Sequence, residues 1–182
     1  AFPIVPDYTN DFSTFPGDLW SIETGVLNTS GSWISDGFAN NGTTGSAKIN
    51  IYTSSYSGPM ADDSLISPVF DLSVGPYYLN MQAALTPWNG TSDGTFGQGD
   101  YISVSLTEDG GVTWIELFRW DSTNAPPAAG AAMPEQDLSN YTSSTVKFKI
   151  FAQSGTGIVD NDFFIDNFSI TSSSLGINNS QI

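Results

Sequence analysis

Strand-like runs bounded by Gly, Ser, Asn, Asp and Pro dominate the chain, and helical periodicity is nearly absent. Apolar and polar residues alternate in Tyr101-Ile102-Ser103-Val104-Ser105-Leu106 and in Val146-Lys147-Phe148-Lys149-Ile150. Each of these strands should bury one face and leave the other polar. The same reading predicts strands over Leu19–Thr24, Ser32–Phe38, Ala47–Tyr52, Ser64–Asp71, Tyr77–Leu85, Tyr101–Thr107, Thr113–Trp120, Thr145–Ala152 and Asp162–Thr171. Nine short strands at this spacing predict an all-β fold, a jelly-roll β-sandwich of two antiparallel sheets.

Thr86–Gly99 and Asp121–Glu135 read as loops, the second containing Ala125-Pro126-Pro127-Ala128-Ala129-Gly130. No internal repeat or domain break interrupts residues 1–171, which should form a single domain. Residues 172–182 read as a linker tail leading towards a further C-terminal domain. The opening Ala1-Phe2-Pro3, with no initiating Met, reads as a cut piece of a larger precursor.

Hydrophobic residues make up 39% of the chain, with 12 Phe, 7 Tyr and 5 Trp, enough for a substantial core. Four Lys+Arg against 19 Asp+Glu give a net charge of −15. Such a chain repels nucleic acid and anionic membranes. Cations, neutral glycans and other protein surfaces remain as partners. There is no His and no Cys, which removes imidazole and thiol catalysis, His-bound zinc and disulfides. No run of 18 apolar residues occurs, so no membrane insertion by a helix is expected. Glu23, Glu108, Glu116 and Glu135 show no spacing that singles out a glycosidase pair. The expectation is that the domain is not an enzyme.

The segment Asp160-Asn161-Asp162-Phe163-Phe164-Ile165-Asp166-Asn167-Phe168 sets aspartates among apolar residues on one strand. A carboxylate on a buried strand is costly unless it is paired or bound to a cation. With so few basic residues available, calcium is the expected partner.

Thr107-Glu108-Asp109-Gly110-Gly111-Val112-Thr113-Trp114 matches the Asp-box pattern, in which Asp and Gly form a tight hairpin turn and the Trp packs beneath it. Four motifs occur in order: Phe12-Ser13-Thr14-Phe15-Pro16 with Trp20, Leu65-Ile66-Ser67-Pro68-Val69-Phe70-Asp71-Leu72-Ser73, the hairpin just described, and Phe163-Phe164-Ile165-Asp166-Asn167-Phe168. This ordered set, over about residues 2–171, resembles the choice-of-anchor J domains. These are related to the cleaved adhesin modules of gingipains and similar to MAM domains. The resemblance implies a jelly roll with structural calcium, serving as a non-catalytic part of a large secreted or cell-surface protein of the Bacteroidetes. It places calcium ligands at Asp11 and Asp166, with Asp63 and Asp162 as additions. Many relatives carry Glu where this chain has Ser13. Turn capping is the alternative role for Asp11 and Asp63. The tail Ser174–Ser180 resembles the lead-in to a type IX sorting domain.

Trp88, in the polar loop Pro87-Trp88-Asn89-Gly90, and Trp120, before the Pro-rich loop, are candidate sugar-stacking residues. The alternative is that both cover core edges. Trp20, Trp33 and Trp114 lie in strand patterns and are expected in the core. The resulting expectation is a calcium-stabilised adhesion or targeting module, acting beside other domains of its precursor on an extracellular protein or polysaccharide. A carbohydrate-binding module and a purely structural accessory domain are the alternatives.

Overall fold

The computed structural model describes residues 2–27 and 32–175. Most of the tail read as a linker, residues 176–182, lies outside the described residues, as does most of the segment likened to a sorting-domain lead-in. The strands are β1 (Tyr8–Asn10), β2 (Ser21–Glu23), β3 (Ile34–Asp36), β4 (Ser46–Ser54), β5 (Gly58–Pro59), β6 (Ser64–Ile66) and β7 (Tyr78–Pro87) in the first half. They continue as β8 (Tyr101–Thr107), β9 (Ile115–Trp120), β10 (Ala131–Ala132), β11 (Gln136–Asp137), β12 (Lys147–Gln153) and β13 (Asp160–Thr171). A 3-10 turn, Phe38–Asn40, follows β3.

Two antiparallel sheets face each other. One runs β10-β7-β13-β4-β3, with β1, β11 and β5 added at its margins; the other runs β2-β6-β12-β8-β9. The alternating strands bury the faces their patterns foretell. Ile102, Val104 and Leu106 of β8 and Phe148 and Ile150 of β12 meet Ile49 and Ile51 of β4 and Phe163 and Ile165 of β13. Direct burial of apolar area at this scale is the main term that holds such a sandwich together.

β13 carries a bulge. Asp166 pairs with Gln82, but Ser169 pairs with Asn80, so one extra residue is accommodated on β13. Asn167 takes it up at φ 51°, a conformation Asn tolerates. The bulge switches the inward parity from Phe163 and Ile165 to Phe168 and Ile170; Asp166, just before it, faces outward by plain alternation.

The Asp-box hairpin forms as its residues require. Asp109 accepts hydrogen bonds from the Thr113 N–H and hydroxyl and from the Thr107 hydroxyl. These donors, the Thr113 hydroxyl foremost, hold its carboxyl at a pKa of about 2. Trp114 lies beneath Gly111. It does not enter the core, however. It is half-buried on the outer face of the second sheet, where the Lys149 ammonium sits 4.2 Å from its ring centroid.

Candidate functional site

Pro87, the last residue of β7, opens a four-residue turn closed by the Gly90 N–H to the Pro87 carbonyl at 2.8 Å. Asn89 occupies the third position at φ 53°. The Trp88 N–H is bonded to the Asp160 carbonyl at 3.0 Å, and the Asn89 N–H to Asp162 Oδ2 at 2.8 Å. Asn40 Nδ2 holds the Gly90 carbonyl from the other side. With the backbone pinned at three consecutive residues, the indole has no place inside. Trp88 is 59% exposed.

Beside it lies a groove of about 410 Å³ on the outer face of the larger sheet. Its floor comes from alternate residues of two paired strands: Lys48, Asn50 and Tyr52 of β4, and Asp160 and Asp162 of β13. Ser32, Ile34 and Trp88 complete the walls. The intervening Ile49, Ile51 and Phe163 point into the core. The groove is therefore rigidly founded, with an aromatic face at one margin and polar groups on the floor. This is the form of a small-molecule binding cleft.

Asn50 Nδ2 donates to Asp160 Oδ1 at 2.8 Å, to the Asn161 carbonyl and to Asp162 Oδ1. Three acceptors on one side fix the orientation of the amide, so Asn50 Oδ1 faces away from them. Ser32 Oγ is buried without a hydrogen-bond partner among the described residues.

Asp162 is fully buried, as the strand pattern requires, but a network of protein donors takes up its charge. Asn50 Nδ2 donates to Oδ1; Asn40 Nδ2, the Asn89 N–H and, at 3.8 Å, the Lys48 ammonium face Oδ2. Lys48 also pairs with Asp36. Asp162, expected as an additional calcium ligand, has donors standing around both of its oxygens. Neutral amide donors, which a count of charges overlooks, supply part of the compensation this carboxylate needs.

The other three aspartates divide. Asp166 and Asp11 come together where β13 bulges past the end of β1. Burial pushes the Asp166 carboxyl up from its ordinary value, and the Asp11 charge adds to the shift. Each carboxylate accepts a nearby backbone N–H, Asp11 from Ser13 and Asp166 from Asn167, which leaves oxygen capacity for a cation. The adjoining recess of about 710 Å³ is lined by polar residues, among them Asp11, Ser13, Asp18 and Asn167. Among the described residues no group of three or more His, Cys, Asp or Glu forms a metal cage. Asp63 lies elsewhere, at the start of β6. Its Oδ1 accepts the Gly25 N–H at 2.9 Å, while Oδ2 is buried without a hydrogen-bond partner among the described residues.

Trp120 departs from the expected sugar-stacking role. It is 3% exposed and packs on Phe118 and Phe163 with ring centroids 5.0 and 5.3 Å away. β9 slips register between Glu116 and Phe118 against β8, and beyond the slip Trp120 pairs with the inward Ile102. It has no free face to offer. Trp20 and Trp33 are buried as expected.

Asn50, Tyr52, Asp160 and Ser32 were not singled out in the sequence as site residues. The signal for the first two was present in Lys48-Ile49-Asn50-Ile51-Tyr52, whose alternation sets the polar residues on one face. Their apposition to Asp160 depends on the pairing of β4 with β13, about a hundred residues further along the chain.

No protein-family model and no curated protein matches the sequence. Solved structures do. The K1 cleaved adhesin domain of Lys-gingipain from Porphyromonas gingivalis aligns with a TM-score of 0.62 at 14% identity, covering 93% of this chain and 99% of that one. TmCBM61, solved in complex with β-1,4-galactotriose, aligns with a TM-score of 0.53 at 13% identity over 90% of this chain and 99% of that one. The N-terminal cellulose-binding domain of Cellulomonas fimi β-1,4-glucanase C gives 0.51 at 11% identity over 96% and 99%. Identities this low establish architecture alone. The chain thus has the jelly-roll β-sandwich fold seen in the cleaved adhesin domains of Lys-gingipain.

Proposed function

We propose that this domain is a non-catalytic, extracellular binding module that takes a glycan in the Trp88 groove. The observation that carries the reading is the exposed Trp88 indole, held by a pinned turn beside a polar-floored groove on a rigid sheet. A pyranose ring presents an apolar C–H face and a rim of hydroxyls. An indole and a row of oxygen acceptors complement those two surfaces. Two structurally similar domains are described by their ligands as carbohydrate binders, which favours the glycan over a protein partner. The module would bring an attached enzyme, or the cell that displays it, to a polysaccharide.

Calcium belongs to the same proposal as a structural ion. Asp11 and Asp166 would supply carboxylate oxygens, and backbone carbonyls and water the remainder of a six- to eight-oxygen shell. The mutual repulsion of the two carboxylates favours a cation there. The ion would join the N-terminal strand to the bulge of β13, remote from any chemistry.

Affinity electrophoresis through gels containing neutral soluble polysaccharides tests the function. Retardation of the wild-type domain by at least one of them, lost in Trp88→Ala at unchanged melting temperature, is the expected outcome. Equal retardation of wild type and Trp88→Ala would remove the groove from the account.

A further inference from the structure

The groove is unusual in what its floor leaves free. Asp160 Oδ1 accepts from Asn50, while Asp160 Oδ2 receives no hydrogen bond from the described residues. The Asn50 amide is locked with its nitrogen towards three acceptors, so its Oδ1 is the free end. Ser32 Oγ, on the wall, also lacks a partner among the described residues. The cation within the groove is spoken for, because Lys48 is engaged by Asp36, Asn40 and Asp162. Besides the Tyr52 and Ser32 hydroxyls, which can donate or accept, what the floor offers a ligand is thus a pair of acceptors, one of them charged.

We infer that the groove selects non-acidic sugars, and that Asp160 is the residue that sets this specificity. Adjacent hydroxyls of a pyranose seated on Trp88 donate to Asp160 Oδ2 and Asn50 Oδ1. A ligand carboxylate in the same place finds those acceptors instead of donors and faces the Asp160 carboxylate. This inference rests on the groove being the glycan site. A hydrogen bond to an ionised carboxylate is stronger than one between neutral groups. Its loss should therefore weaken binding by about tenfold or more. Repulsion between partly desolvated carboxylates should separate a neutral sugar from its uronate by a similar factor.

The experiment is titration calorimetry with a matched pair: the neutral oligosaccharide that binds best in the gels, and the same oligomer oxidised at C6 to the uronate. Wild type, Trp88→Ala, Asp160→Asn and Asp160→Ser are compared, with melting temperatures to confirm folding. The second Asp160 variant guards against a local clash from the added amide hydrogens. The expected result is wild-type preference for the neutral form by about tenfold or more. Both Asp160 variants should bind the neutral sugar more weakly and discriminate less against the uronate. If Trp88→Ala abolishes binding while folded Asp160 variants keep wild-type affinity and discrimination, the inference is overturned and the groove reading stands. Wild-type binding of the uronate as tight as that of the neutral sugar also overturns it. If Trp88→Ala binds like wild type, both fall together.

Discussion

Asp162→Ala tests the reasoning that the buried carboxylate is held by protein donors and, through them, holds the Trp88 turn. The substitution leaves the Asn89 N–H without its acceptor, removes one acceptor each from Asn50 Nδ2 and Asn40 Nδ2, and takes one of two carboxylates from the nearly buried Lys48. Hydrogen bonds to a charged group contribute about 1.5–3 kcal/mol each. Three of them do not add, because Lys48 retains Asp36 and Asn50 retains Asp160, and water can reach the site from the groove. A loss of about 3–5 kcal/mol is expected, the range for removing one partner of a buried charged pair. In a domain of this size that lowers the melting temperature by about 6–20 °C. Asp162→Asn, which keeps an acceptor but sets a donor against another donor, should fall between. The assay is thermal unfolding followed by circular dichroism, run in calcium and again in chelator. The destabilisation should be the same in both if these donors, and no metal, hold the carboxylate. A loss under about 1 kcal/mol would refute the network. A loss present only in calcium would return Asp162 to the metal ligands. Glycan affinity should fall alongside stability, because the Asn89 N–H no longer anchors the turn.

Chelation of calcium from the wild-type domain is expected to lower its melting temperature by about 5–10 °C when the ion had been near a hundredfold above its dissociation constant; Asp166→Asn should abolish that shift, and an unchanged melting temperature in EDTA would sink the structural ion. Trp120→Ala should cost about 3–5 kcal/mol in denaturant unfolding through the cavity it leaves beside Phe118 and Phe163. Trp88→Ala, on an exposed turn, should stay within about 0.5 kcal/mol of wild type in the same assay, and reversed magnitudes would contradict the placement of the two indoles. Asp109 has its pKa lowered to about 2 by the Thr113 and Thr107 donors, so its contribution to the hairpin is fully present above the ordinary carboxylate range and is lost as pH falls through about 2. An NMR titration of its carboxyl should show a midpoint near 2, and a midpoint near 4 would contradict those hydrogen bonds.

Much of the sandwich was legible in the sequence because strand patterning is local. All nine predicted strands correspond to strands of the structure, and alternation in β8 and β12 named their buried faces correctly. The additional strands β1, β5, β10 and β11 are two or three residues long, too short to carry a period. They exist because a neighbouring long strand offers free backbone groups to pair with. The site was less legible. Trp88 could be read from its polar loop, but Asn50 and Tyr52 gained meaning only when β4 paired with β13. Asp162 illustrates the same limit. The sequence shows a carboxylate that needs compensation, whereas the compensating Asn40, Asn50 and Asn89 come from three separate segments. Trp120 was misplaced because it was read from its neighbouring Pro-rich loop, whereas it is the last residue of β9 and packs inward on Phe118 and Phe163.

A crystal structure of the domain with the neutral oligosaccharide it binds best tests the central claim most directly. The account requires a pyranose ring stacked on the Trp88 indole, with hydroxyls donating to Asp160 Oδ2 and Asn50 Oδ1. A sugar seated elsewhere on the domain, with Trp88 bare, would contradict it.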